Sequence, residues 1–164
     1  PVANGYLKTL NELGTRHPNH LEFFGVVSDP SVTRTQAAKH FSDYRTTFPV
    51  LFDASGLLAA ALKPSHVPQA FVLDRDGRLV YRGAIDNAWE AIGRRRPKAE
   101  KHYLADAVAA VVDGRAVAVP ETTPVGCLVE TPPTTGDRSK VTYARDIAPI
   151  IQARCLNCHR DGQA

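Results

Sequence analysis

Two β-rich runs, Gln69-Ala70-Phe71-Val72-Leu73 and Leu79-Val80-Tyr81-Arg82, flank the segment Asp74-Arg75-Asp76-Gly77-Arg78. Asp-Gly between such runs signals a hairpin, which makes the two strands antiparallel neighbours. Upstream, the candidate strands are separated by helical segments, and a crossover helix demands parallel pairing. A chain that satisfies both conditions is α/β, with helices layered on a mixed sheet.

The remaining elements fit this frame. Val2, Tyr6, Leu10 and Leu13 recur at helical spacing, and Gly14 supplies a stop. Leu21-Glu22-Phe23-Phe24-Gly25-Val26-Val27 reads as a buried strand, broken by Ser28-Asp29-Pro30-Ser31. Ser31 or Thr33 then caps a helix reaching about Tyr44, with Val32, Ala37 and Phe41 turned inward. Phe48-Pro49-Val50-Leu51-Phe52 is a second strand, followed by an alanine-rich helix ending at Leu62. Beyond the hairpin, His102 to Asp113 forms an amphipathic helix whose apolar face is Tyr103, Leu104, Ala107, Val108, Val111 and Val112, with Gly114 as its end. Trp89 and the basic run Arg94-Arg95-Arg96-Pro97-Lys98 read as solvent-facing loop features; a run of arginines binds an anion in some settings, but most charge runs are simply solvated.

Composition narrows the function classes. At 164 residues the chain holds one ordinary domain and a short appendage. A net charge of +3 is too small to argue for nucleic acid. No run approaches the roughly 18 apolar residues of a membrane span. Met is 0, so the sequence reads as a processed or excised piece of a longer protein, cut at both ends. Three cysteines are too few for a disulfide scaffold.

His66-Val67-Pro68-Gln69-Ala70-Phe71 places a proline at the start of a strand. Two readings fit: the first residue of an edge strand, where a missing N–H costs nothing, or a cis X-Pro bond. The wider order bears on the choice. Phe48-Pro49-Val50-Leu51-Phe52-Asp53, a helix, then Val67-Pro68-Gln69-Ala70-Phe71-Val72-Leu73 and the hairpin through Gly83 resemble the thioredoxin-like redoxins. The likeness is to the branch containing alkyl-hydroperoxide-reductase-like and thiol–disulfide exchange domains, and it runs from Pro1 to about Val129. It implies a thioredoxin-like three-layer sandwich over residues 1–118, lacking its first strand, which is central in that fold. It also implies that Pro68 is cis and faces a redox cysteine, and that Val67 offers backbone groups to an extended thiol substrate.

By the same resemblance, the redox cysteine belongs at the N-terminus of the first long helix, where the helix dipole lowers its pKa. Pro1-Val2-Ala3-Asn4 looks like the segment that follows such a cysteine, which places the nucleophile immediately before Pro1. Cys127, in Pro124-Val125-Gly126-Cys127, resembles a C-terminal segment of some of these redoxins. It reads first as a small buried residue and second as a resolving thiol.

From Val119 the composition shifts to Pro and Thr, and residues 119–140 read as an extended linker. Residues 141–164 then form a new helix that ends in Cys155-Leu156-Asn157-Cys158-His159. Cys-x-x-Cys-His is the attachment signature of haem c: two thiols add to the haem vinyl groups and the adjacent His159 ligates the iron. A zinc half-site would need a second ligand pair, and a dithiol redox motif would need a thioredoxin fold around it. The approach from Val141 through Ile147, Ile150 and Ile151 is similar to the first helix of a class of bacterial cytochrome c domains. That resemblance implies the start of a c-type cytochrome, with any distal ligand downstream of Ala164.

Together these readings predict a thiol–disulfide or peroxide oxidoreductase domain fused to a c-type haem electron-transfer domain in a periplasmic or secreted protein. Its partners would be a thiol or disulfide protein, or a peroxide, and an electron-transfer partner, with no nucleic acid and no membrane span. The alternative is a non-catalytic thioredoxin-fold binding or spacer module, with electron transfer by the haem domain alone.

Overall fold

A computed structural model of the chain describes residues 2–18 and 20–129. They form mixed helix and strand, an α/β arrangement whose strands lie in four two-stranded sheets and not one continuous sheet. The expectations placed on residues 130–164, including the cysteine motif, lie outside the described residues.

Helix α1 runs Val2–Arg16 and buries Val2, Tyr6, Leu7 and Leu13. Gly14 does not end it, contrary to the sequence expectation. Phe23 packs directly over Gly14, so that a Cβ there would stand 3.4 Å from the Phe23 ring, and the missing side chain serves close packing. The following strand is shorter than its apolar run suggests. Only Gly25–Val27 (β1) pairs, because Phe23 instead turns edge-on to Phe48, with ring centroids 4.9 Å apart.

Helix α2 (Arg34–Asp43) begins at a capping box, with Thr33 and Gln36 satisfying each other's backbone N–H groups. It buries Ala37 and leaves Val32 and Phe41 half-buried. The helix connects β1 to β2 (Val50–Phe52), and the two strands pair in parallel from Gly25↔Val50 to Val27↔Phe52. The short helix α3 (Leu57–Leu62) leads to β3 (His66–Val67). The predicted hairpin is present: β4 (Ala70–Leu73) pairs antiparallel with β5 (Leu79–Gly83).

Beyond it, β6 (Trp89–Ala91) and β7 (Arg94–Arg95) form a second small hairpin, where the sequence suggested loop. Its turn is braced by Glu90, whose carboxylate bonds Arg94 at 2.9 Å and Arg96 at 2.8 Å. Part of the basic run is thus paired internally. Trp89 is half-buried, packed on the core and covering Gly5, and not solvent-facing. Helix α4 (Tyr103–Val112) buries Leu104, Ala107, Val108 and Ala110, and the core joins the first three to Val2, Tyr6 and Leu13 of α1 and to Val72 and Tyr81 of the hairpin. Among the described residues no helix is long and apolar enough to cross a membrane.

The segment from Val119 onward is extended as expected, but as far as Val129 it is bound to the domain. Pro120 accepts from the Arg82 amide at 2.9 Å, and Thr122 donates to the Arg82 carbonyl at 3.1 Å. The chain then ends its described course in β8 (Cys127–Leu128), paired with β3.

The core assignment predicts a clear contrast. Leu104→Ala should cost about 2–5 kcal/mol, the usual range for emptying a buried leucine site. Leu128→Ala, at an exposed position, should stay within about 0.5 kcal/mol of wild type in urea unfolding.

Candidate functional site: the Val67 edge and the Asp86 loop

The loop between α3 and β4 is organised by one side chain. Gln69 Oε1 accepts from the Ser65 amide at 2.7 Å and from the Ser65 hydroxyl at 3.2 Å. The Ser65 hydroxyl also lies 3.0 Å from His66 Nδ1. These bonds fold the loop back on itself and present His66 and Val67 as a short strand edge. The Val67–Pro68 peptide is cis, the geometry the resemblance implies. Val67 is half-exposed.

That edge already carries a partner. Strand β8 pairs with β3 antiparallel, His66 opposite Leu128 and Val67 opposite Cys127, and the Val129 amide donates to the Ser65 carbonyl at 3.0 Å. Gly126 makes this approach possible, because a Cβ at that position would fall 2.0 Å from the Val67 carbonyl oxygen. Cys127 is exposed and carries a free thiol, which corrects the reading of it as a small buried residue. The cause is its place on a two-residue edge strand whose side chains both face solvent. Sequence reasoning passed over Gly126, although a glycine immediately before a lone cysteine in a Pro/Thr-rich segment signals a close backbone approach.

A second polar feature lies in the loop after β5. Asp86 is buried, accepts from the Tyr6 hydroxyl at 2.6 Å, and accepts from the Ala88 amide at 2.8 Å. It therefore fastens residues 84–88 to the first half of α1. Burial is the main cause that raises the Tyr6 pKa well above the ordinary phenol; the hydrogen bond to Asp86 and the Asp86 charge act in the same direction, and the Trp89 backbone acts against them. The sequence held a signal for this too: an acidic residue inside the apolar stretch Gly83-Ala84-Ile85-Asp86. Among the described residues no group of three or more His, Cys, Asp or Glu side chains converges as a metal site. Cys155, Cys158 and His159 lie outside them.

Comparison with known proteins places the fold more firmly than the chemistry. No family model matches the chain, and no curated protein matches it. Two solved structures superpose well. A conserved uncharacterized protein from Geobacillus kaustophilus matches with a TM-score of 0.66 at 22% identity, covering 80% of this chain and 71% of that one. A hypothetical protein from Sinorhizobium meliloti 1021 matches with a TM-score of 0.65 at 26% identity, covering 79% of this chain and 72% of that one. Both likenesses speak to architecture.

The Tyr6–Asp86 bond predicts a pH signature. Tyr6→Phe leaves the buried Asp86 carboxylate one donor short and should cost about 1.5–3 kcal/mol at pH 7, read from urea midpoints. Because the folded pKa of Tyr6 is raised, its contribution is complete below the unfolded phenol value of about 10 and declines as pH rises beyond it. The variant should therefore lose less stability than wild type between about pH 10 and pH 11.

Proposed function

We propose that this chain is the redoxin portion of a thiol–disulfide or peroxide oxidoreductase of the periplasm or extracellular space, joined to a c-type haem electron-transfer segment. The observation that carries the reading is the order and sense of the elements. A long helix leads to a parallel β1·β2 ladder through a crossover helix, then to the Val67 loop, an antiparallel β4·β5 hairpin and a closing helix. This succession fits a thioredoxin-like domain. The two ladders fit one mixed sheet with a central strand standing between them. The Val67 edge fits a docking place for an extended thiol substrate, since its backbone already engages an extended segment.

In this reading the nucleophile is a cysteine immediately preceding Pro1, at the N-terminus of α1, where the helix dipole favours the thiolate. Beside Pro68 and Val67, its thiolate would attack a disulfide sulfur of the substrate, breaking the S–S bond to form a mixed disulfide and release the other sulfur as a thiolate, or a peroxide oxygen, breaking the O–O bond to leave a sulfenic acid and release water or an alcohol. Cys155 and Cys158 are the residues that would hold haem c by thioether bonds and His159 the one that would ligate its iron; the group, when bound, would supply one-electron transfer. Two thiols and an imidazole in that spacing suit this donor set.

Two experiments test the proposal. Alkylation kinetics on the polypeptide carrying the residues before Pro1 should reveal a cysteine titrating clearly below the free-thiol value of about 8.5. A parent protein with no cysteine there, or one with an ordinary thiol, leaves the spacer reading standing instead. Separately, the chain exported to a periplasm equipped for cytochrome c maturation should retain haem through denaturing electrophoresis. Cys155→Ser with Cys158→Ser should abolish that covalent haem, whereas Cys127→Ser should leave it intact.

A further inference from the structure

Strand β3 is a two-residue edge, and unpaired edges of this kind accept extended chains through main-chain hydrogen bonds. Here the chain supplies the occupant itself, and that occupant is held very unevenly along its length. At its root, Thr122 is fixed four ways. Its amide donates to the Arg82 carbonyl at 3.1 Å, and its hydroxyl oxygen accepts from the Ala84 amide at 2.9 Å and lies 2.7 Å from the Tyr81 hydroxyl. The fourth restraint is steric: Gly83, at φ 148°, lets the Thr122 backbone come so close that any side chain there would collide with it.

At its tip the attachment is thin. Cys127 and Leu128 are exposed, Leu128 at 75%, so no side chain there anchors the pairing. What remains is the short ladder to His66 and Val67 and the Val129–Ser65 bond. Pro124 is buried and Val125 half-buried, so the firm hold extends to there, and the segment that can lift without exposing Pro124 starts at Gly126.

We propose that residues 126–129 are a displaceable strap that closes the His66–Val67 edge against extended polypeptide, and that Gly126 defines what a replacing strand must carry. An incoming strand takes the place of the strap and must bring glycine to the position opposite the Val67 carbonyl, since any Cβ there meets that oxygen. The residue after the glycine then stands opposite Val67 with its side chain in solvent, so the edge selects on backbone and on the absence of one side chain. The inference rests on the reading of Val67 as a docking edge and adds to it an internal competitor. A tethered strand competes at an effective concentration on the order of millimolar, so a free peptide meets a largely closed edge.

The test uses the full 164-residue chain and a labelled hexapeptide of residues 124–129 carrying Cys127→Ser, which removes thiol exchange from the measurement. Two variants open the strap by independent means. Gly126→Ala forces a Cβ against Val67, and Val129→Pro deletes the N–H that bonds Ser65. Thermal midpoints confirm that each variant folds, and either one that does so carries the test. Opened variants should bind the peptide at least about ten-fold more tightly than wild type, and the same peptide with Gly126→Ala should not bind. Equal binding by wild type and the opened variants overturns the strap while leaving the docking edge in place. Absence of binding to both opened variants overturns the docking edge and the strap with it. Equal binding of the alanine peptide overturns the glycine requirement on which the proposal turns.

Discussion

The packing of Tyr81 holds the described chain together. Its ring has 0% exposure, shares the core cluster with residues of α1 and α4, and belongs to the hairpin that α4 covers. Its hydroxyl donates to the Ala84 carbonyl and meets the Thr122 hydroxyl. One residue thus joins the hydrophobic core, the start of the loop that carries Asp86, and the root of the C-terminal strap. Burial pushes its pKa upward, while the bond with Thr122 pulls the other way. A buried hydroxyl of this kind needs a partner, and Tyr81 has two. Loss of the Thr122 hydroxyl would leave the buried Ala84 amide without its acceptor, which is why the turn after β5 and the strap root are structurally one unit.

From that unit the two functional features diverge. Toward the helix side, the chain from Ala84 to Ala88 turns inward and delivers Asp86 to Tyr6, tying the hairpin to the first turns of α1. Toward the opposite end, the chain from Thr122 runs extended to the Val67 edge. The proposed chemistry needs both, because it calls for a fixed helix start and an accessible strand edge on one scaffold. Rigidity on the helix side comes from a buried, charge-assisted bond, whereas the edge side is held by a few exposed backbone bonds, the kind that open at low free-energy cost.

Much of this was legible in the sequence where local chemistry and global fold agree. The Asp-Gly turn specified the β4·β5 hairpin, the apolar spacing of Tyr103 to Val112 specified α4, and the choice between Ser31 and Thr33 as cap bracketed the start of α2, where Thr33 is the cap. The errors share a cause. Gly14 looked like a stop because its local signal was read without Phe23, which needs the space. Trp89 looked solvated because nothing local reveals that its ring would lie over Gly5, whereas the arginine run is largely exposed as read and only its pairing with Glu90 went unseen. Cys127 looked buried because free cysteine usually is, and nothing local revealed that it would occupy an edge strand. Long-range pairing such as β3·β8, across some sixty residues of sequence, leaves almost no periodic trace.

The parallel ladder is covered on one face only. Parallel strands are ordinarily covered on both faces and read as continuous apolar runs. Here Val26 and Leu51, cross-strand partners at the centre of β1·β2, are exposed at 46% and 41%. Their alternation with half-buried neighbours puts one face of the ladder toward the domain and the other toward solvent. An apolar pair in the middle of a parallel ladder is poor surface chemistry but ordinary interior chemistry. The same chain that over-covers a two-residue edge at Val67 with its own strap leaves this larger apolar face bare. Covering has gone to the edge whose unpaired backbone would otherwise recruit strands from other chains, while the apolar pair Val26 and Leu51 stays exposed.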